Sequence, residues 1–172
     1  MGTKILITGG SGMIGQALSA ALSENGHQVS HLSRNPSKKV NYPSYKWDIA
    51  NQYIDPRALN VDLIIHLSGE GIANKRWTEK QKQKLIMSRI DAAKLLYDQI
   101  IKLKKRPVRI ISASAIGYYG SDTQEEECFE DTPAGDDFIG QFVFNWEQQV
   151  NQFEALGMQV SMLRIGIVLS KA

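Results

Sequence analysis

Apolar positions along this chain fall in short dense runs, separated by stretches with helical spacing. Ile5-Leu6-Ile7 is the first run; glycines at 9, 12 and 15 follow it, then a helical pattern from about Met13 to Asn25 that Gly26 stops. Gln28 to Leu32 predicts a second strand ending at Ser33-Arg34. After an Asn35-Pro36-Ser37 loop, Tyr45 to Trp47 predicts a short third strand ending at Asp48. Asp55-Pro56 opens a brief helix or turn, and Asp62 to Leu67 reads as a fourth strand buried on both faces. A long helix is expected over Thr78 to Leu103, with Ile86, Ile90, Ala93, Tyr97 and Ile100 as its apolar stripe, stopped by Pro107. Val108 to Ser112 predicts a fifth strand, Asp137 to Leu156 another helix closed by Gly157, and Val160 to Leu163 a sixth strand.

Strands that alternate with helical segments pair in parallel through right-handed crossovers. The expected fold is therefore α/β, a doubly wound parallel sheet with strand order 3-2-1-4-5-6 and a ligand outside the strand C-termini. The 172 residues are expected to form one domain, residues 1–172. No run of eighteen apolar residues predicts a membrane span, and the start of the chain does not read as a signal peptide. With Cys128 standing alone, the expected setting is reducing and cytoplasmic. A net charge of +2 argues against a nucleic-acid partner, so the lysines at 80, 82, 84, 102, 104 and 105 read as solvated helix surface. The three histidines and Cys128 show no metal-ligand spacing, and no Walker lysine follows the glycines.

The glycines carry the chemistry. Gly9 allows a tight turn, Gly12 lets a pyrophosphate approach the backbone, and Gly15 lets the helix lie close to the strand. The helix start at Met13 and Ile14 then points its free N–H groups at an anion. The position that reads the adenosine ribose, at the end of the second strand, holds Ser33 and Arg34 rather than a carboxylate. A hydroxyl and a guanidinium bind a 2′-phosphate that a carboxylate would repel, so the expected cofactor is NADP, with NAD disfavoured.

Thr8-Gly9-Gly10-Ser11-Gly12-Met13-Ile14-Gly15 resembles the fingerprint of the extended, atypical short-chain dehydrogenase/reductases. His66-Leu67-Ser68-Gly69-Glu70, Arg76-Trp77-Thr78, Ser88-Arg89, the run from Ser112 to Gly120, Gly135-Asp136-Asp137-Phe138, Trp146-Glu147 and Leu163 to Leu169 narrow the resemblance to its epimerase-like, YfcH-type family. The resemblance covers the whole chain. It implies that Asp48 and Ile49 sit by the adenine, and that His66, Leu67, Ser68 and Gly69 pass beneath the ribose and pyrophosphate. It places Ser88 near the cofactor and Ser112 to Ser114 beside the nicotinamide. It also implies a small-molecule substrate of sugar, alcohol or carbonyl type, a C-terminal substrate portion beyond Ala172, and a homodimer formed through the two long helices.

One part of the family pattern is missing. The helix before the last strand should begin with Tyr-x-x-x-Lys, in which the tyrosine exchanges a proton with substrate. Aligning on Glu147 puts Gly140 and Phe144 in those two places. The literal Tyr42-x-x-x-Lys46 lies on the adenine side and contains Pro43, so it reads as chance. Ser114, Tyr118 and Tyr119 are the remaining catalytic candidates, while Glu70 and Arg76 flank the mouth. Two functions stay open: the cofactor half of an NADP-dependent epimerase or oxidoreductase, or a non-catalytic NADP sensor or scaffold.

Overall fold

The computed structural model describes residues 2–36, 41–71, 76 and 78–169. Ser37 and Trp77, singled out above, lie outside them. Seven strands form one sheet: β1 (Lys4–Thr8), β2 (Gln28–Ser33), β3 (Ser44–Asp48), β4 (Tyr53–Ile54), β5 (Leu63–His66), β6 (Arg109–Ala115) and β7 (Gln159–Ile165). Their order is β4-β3-β2-β1-β5-β6-β7. Every neighbouring pair is parallel except β3 and β4, where Trp47 faces Ile54 in an antiparallel pairing. The six strands anticipated from the sequence thus stand in the expected order. β4 is an addition at the edge, too short for its two residues to show any periodicity.

The helices cover the two faces as alternation along β1 dictates. Ile5 and Ile7 pack with Val29 and Ile65 beneath Leu18 and Leu22 of α1 (Met13–Glu24). Leu6 turns the other way, into a core with Ile64, Ile110, Leu95, Leu96, Ile100 and Phe153. A third cluster joins Leu85 and Ala93 to Phe142, Val143, Trp146 and Val150 of α4 (Phe138–Asn151). Asp137 caps α4 by accepting from the Gly140 N–H at 2.8 Å, and Gly157 at φ 77° ends the 3-10 turn that follows it.

The expected long helix is not continuous. It consists of α2 (Glu79–Ile86), a π turn over Met87–Asp91, and α3 (Ala92–Ile100). A π turn inserts one residue into the helical repeat, so the buried face shifts relative to a straight helix. The buried positions are Gln81, Leu85, Ala92, Ala93, Leu95, Leu96 and Ile100, with Arg89 at 8% exposure beside them; Ile86, Ile90 and Tyr97 of the expected stripe are half-buried. β6 and β7 also run further than expected, reaching Ala115 and Ile165. Their register pairs Ser114 with Arg164 across the sheet.

Candidate functional site

The C-terminal ends of β1, β2 and β5 converge on the glycine turn. Gly9 adopts φ 73°, a conformation open to glycine at little cost. A side chain there would also meet the Leu67 backbone at 2.9 Å, so the β1 and β5 ends touch because Gly9 has none. A side chain at Gly15 would run into the Gly9 carbonyl and the Gly10 Cα at 2.7 Å. Gly12 differs from both. It has ordinary extended angles, φ −76° and ψ 169°, and a Cβ there would have only the Gly9 carbonyl nearby, at 3.3 Å. Gly12 is the N-cap of α1, and no side chain caps that end. The helix begins with open N–H groups beside exposed Met13 and Ile14.

In front of that helix end lies a groove of about 390 Å³, lined by Gly9, Gly12, Ser33, Arg34, Ser68 and Gly69. It continues into a second space of about 590 Å³ lined by Arg34, Asp48, Ile49, Glu70, Lys84 and Ser88. Arg34, Asn35 and Trp47 belong to both, so one channel crosses the sheet edge from the glycines to β3. Arg34 is exposed, and its backbone carbonyl accepts from Lys46 Nζ at 2.5 Å. The Ser33 hydroxyl accepts from the Asn35 N–H at 3.2 Å, which shapes the turn that carries Arg34. The Asn51 side chain and N–H hold the Asp48 carboxyl below its usual range. Ser68 contributes a buried hydroxyl without a hydrogen-bond partner. Tyr42 and Lys46 serve other ends here: Tyr42 packs on the His31 ring at 5.1 Å, and Lys46 ties down Arg34.

Other residues named from the sequence stand behind this surface. His66 and Ser112 are fully buried and line neither space. The Ser112 hydroxyl donates to the Ala113 carbonyl. Thr8 Oγ1 accepts from the Leu67 and Ser68 N–H groups, each at 3.2 Å, and lies 2.8 Å from His66 Nδ1. With its acceptor capacity taken, the Thr8 hydroxyl donates to Nδ1, which leaves the ring proton on Nε2. Burial pushes the His66 pKa down to about 4, and the nearby Arg89 charge adds to the shift, so the ring is neutral. Ser88 accepts from the Glu70 N–H at 3.0 Å and donates to the Leu85 carbonyl, which fixes the loop after β5.

The three catalytic candidates belong to a different network. Ser114 Oγ donates to Glu147 Oε1 at 2.5 Å, and Glu147 receives both Nε and Nη2 of Arg164 at 3.0 Å. Arg164 also donates to the Tyr119 hydroxyl at 2.9 Å, and that hydroxyl donates to the Phe129 carbonyl. The Arg164 guanidinium lies 3.4 Å from the centre of the Tyr118 ring. At Gly140 a side chain would clash with the Gly135 backbone, and Phe144 packs toward Tyr118 at 6.4 Å. The two places aligned with Tyr and Lys therefore serve close packing.

Reasoning from the sequence gave Arg89 no role, yet it is the most heavily buried cation among the described residues. A guanidinium at i+4 from Leu85, inside an apolar stripe, was the available signal. Its Nη2 donates to the Glu70 carbonyl at 3.0 Å and its Nη1 to Ser88 Oγ at 3.3 Å, while Nε has no partner. Gly69 makes room for it, since a Cβ there would stand 2.6 Å from the guanidinium carbon.

The family model of the NAD dependent epimerase/dehydratase family matches residues 5–137. The epimerase family protein YfhF of Bacillus subtilis is 32% identical over 170 residues, covering 98% of this chain and 56% of its own length. An epimerase family protein of Staphylococcus saprophyticus is 35% identical over 96% of this chain and 55% of its own. The chain thus spans about half the length of the curated relatives it matches. Among solved structures, the nucleoside-diphosphate sugar epimerase from Corynebacterium glutamicum superposes with a TM-score of 0.83 at 30% identity, over 99% of this chain and 35% of that one. The human epimerase family protein SDR39U1, solved with NADPH, superposes with a TM-score of 0.79 at 27% identity, over 98% and 55%. The chain belongs to the NAD dependent epimerase/dehydratase family.

Proposed function

We propose that this chain is the NADP-binding part of an epimerase-like oxidoreductase that acts on a sugar-nucleotide, alcohol or carbonyl substrate. The observation that carries the reading is the single channel that joins an uncapped helix start to an exposed arginine at the end of β2. The open N–H groups of α1 and the unpartnered Ser68 hydroxyl suit a pyrophosphate, and the bare Gly12 leaves it room to approach. Ser33 and Arg34 suit a 2′-phosphate, and the Asp48–Ile49 end of the channel suits an adenine. When bound, the nicotinamide supplies the hydride, and the chain's residues hold and orient it. Support for a phosphorylated cofactor comes from the NADPH in the solved human relative, whereas other structural neighbours hold NAD. Calorimetric titration with NADP and NAD side by side tests this reading; equal affinities for the two would overturn the role given to Arg34.

A second reading, a non-catalytic NADP sensor or scaffold, is favoured by one observation. The protons of Ser114 and Tyr119 are both committed to internal acceptors, Glu147 and the Phe129 carbonyl. NADPH oxidation in the presence of sugar nucleotides, ketones and quinones separates the two readings.

A further inference from the structure

His31 stands on β2 in register with Ile7 of β1, and its ring packs against the glycine turn. A Cβ at Gly10 would stand 2.5 Å from the ring carbons Cγ and Cδ2 and 2.6 Å from Nδ1, so the ring lies there because Gly10 has no side chain. Gly9 and Gly12 line the channel, whereas Gly10 and His31 line a separate groove of about 410 Å³ with Gln16 and Tyr42. The ring therefore backs the turn. Its far end is fixed as well. Ser19, fully buried on α1, donates its hydroxyl proton to the Gly15 carbonyl at 2.6 Å and lies 2.8 Å from His31 Nε2. With that proton committed, Nε2 carries one of its own and donates it to Ser19 Oγ. Nδ1, the nitrogen beside Gly10, is then the one that takes a further proton.

We propose that His31 is a positioning residue of the dinucleotide site: a proton on Nδ1 sets a positive charge directly behind the Gly10 backbone and strengthens the turn's hold on a pyrophosphate. The proposal rests on the dinucleotide reading and adds a pH dependence to it. The surroundings of the ring supply no competing charge among the described residues. α1 brings Gln16, Ser19 and Ala20 to the groove and ring, the turn brings Gly10 and Ser11, and β1 and β3 bring Ile7 and Ser44 in register. Tyr42, 5.1 Å away, is the titratable group packed on the ring, and a phenol is neutral below about pH 10. Arg34, three residues further along the chain, lines the channel. Burial holds the His31 pKa below its ordinary 6.5, so the ring is neutral at pH 7 and charges on acidification. An anion on the front of the turn favours the charged ring and raises that pKa; by reciprocity the charged ring tightens the anion.

The test follows the His31 ring resonances of the chain by NMR from pH 8 to 5, with and without saturating NADP. His31→Gln identifies the signal by its loss, and its amide can still donate to Ser19 but cannot be charged. NADP is expected to raise the His31 pKa by about half a unit or more, which corresponds to roughly threefold tighter binding once the ring is charged. The 2′-phosphate of NADP itself titrates near about pH 6. Affinities are therefore compared as the ratio of the unmodified chain to His31→Gln at each pH, and this ratio is expected to move in favour of the unmodified chain as pH falls. A His31 pKa that NADP leaves in place or lowers, or a ratio constant with pH, would overturn the proposal and leave the dinucleotide reading standing. No saturable NADP binding at any pH would overturn both.

Discussion

Ser114 on β6 and Arg164 on β7 sit directly opposite each other in the sheet, and both bind the same carboxylate, Glu147, reaching in from α4. Glu147 is 5% exposed and completes a paired, hydrogen-bonded unit that locks the helix to the sheet's last two strands. Removing Glu147 leaves the buried Ser114 hydroxyl and the partly buried Arg164 guanidinium without this acceptor, a loss toward the lower end of the about 3–5 kcal/mol found for buried pairs. Glu147→Ala is therefore expected to lower the urea midpoint steeply with the m-value unchanged. A shift under about 1 kcal/mol, the scale of an exposed pair, would show the network to be dispensable.

His66 makes stability depend on pH. Its folded pKa, about 4, lies below the ordinary value of 6.5, so the unfolded chain binds more protons between these limits. The stability it contributes is fully present above about pH 6.5 and is lost as pH falls toward 4. Over that interval the loss is about 3 kcal/mol, at about 1.4 kcal/mol per pKa unit. Urea midpoints measured from pH 7 to 4 check this, with His66→Asn expected to flatten the slope. A His66→Asn curve as steep as that of the unmodified chain would assign the acid sensitivity elsewhere.

Two glycines of the same turn are expected to fail in different ways. Gly15→Ala forces a methyl into the Gly9–Gly10 backbone and should destabilise the fold itself. Gly12 has extended angles and a Cβ there would meet only the Gly9 carbonyl, at 3.3 Å, so Gly12→Val should keep the fold at a smaller cost than Gly15→Ala and lose the dinucleotide, because its branched side chain fills the approach to the helix end. Thermal melts and NADP titration of the two variants distinguish these outcomes. Unchanged NADP binding by Gly12→Val would leave the turn a purely structural feature.

Arg34 is exposed at the junction of the two halves of the channel, so replacing it leaves the core untouched. Arg34→Asp is expected to weaken NADP by about 1.5–3 kcal/mol, the range for hydrogen bonds to charged groups, with added repulsion from the new carboxylate. NAD, which lacks the 2′-phosphate, should lose much less. Calorimetry with both cofactors reads the difference directly; a parallel loss for the two would remove Arg34 from the 2′-phosphate.

Local patterns alone were enough to place six strands and their order, because a strand buried on both faces must be a dense apolar run and parallel neighbours require helical crossovers. The glycine turn, the start of α4 near Asp137 and the Ser33-Arg34 end of β2 were legible for the same reason: each rests on residues adjacent in the chain. Contacts between distant segments decided the rest. β4 exists because Tyr53 and Ile54 find an edge to pair with, which two residues cannot announce. The π turn interrupts a helical repeat that sequence spacing assumes to be unbroken, and the Arg89 it contains is 8% exposed because α4 and the loop after β5 pack over it. Ser114, Glu147, Tyr119 and Arg164 become one network only when β6, β7 and α4 are packed together. Side-chain type can be read along the chain, but whether a hydroxyl is free to react depends on which acceptor tertiary packing sets beside it.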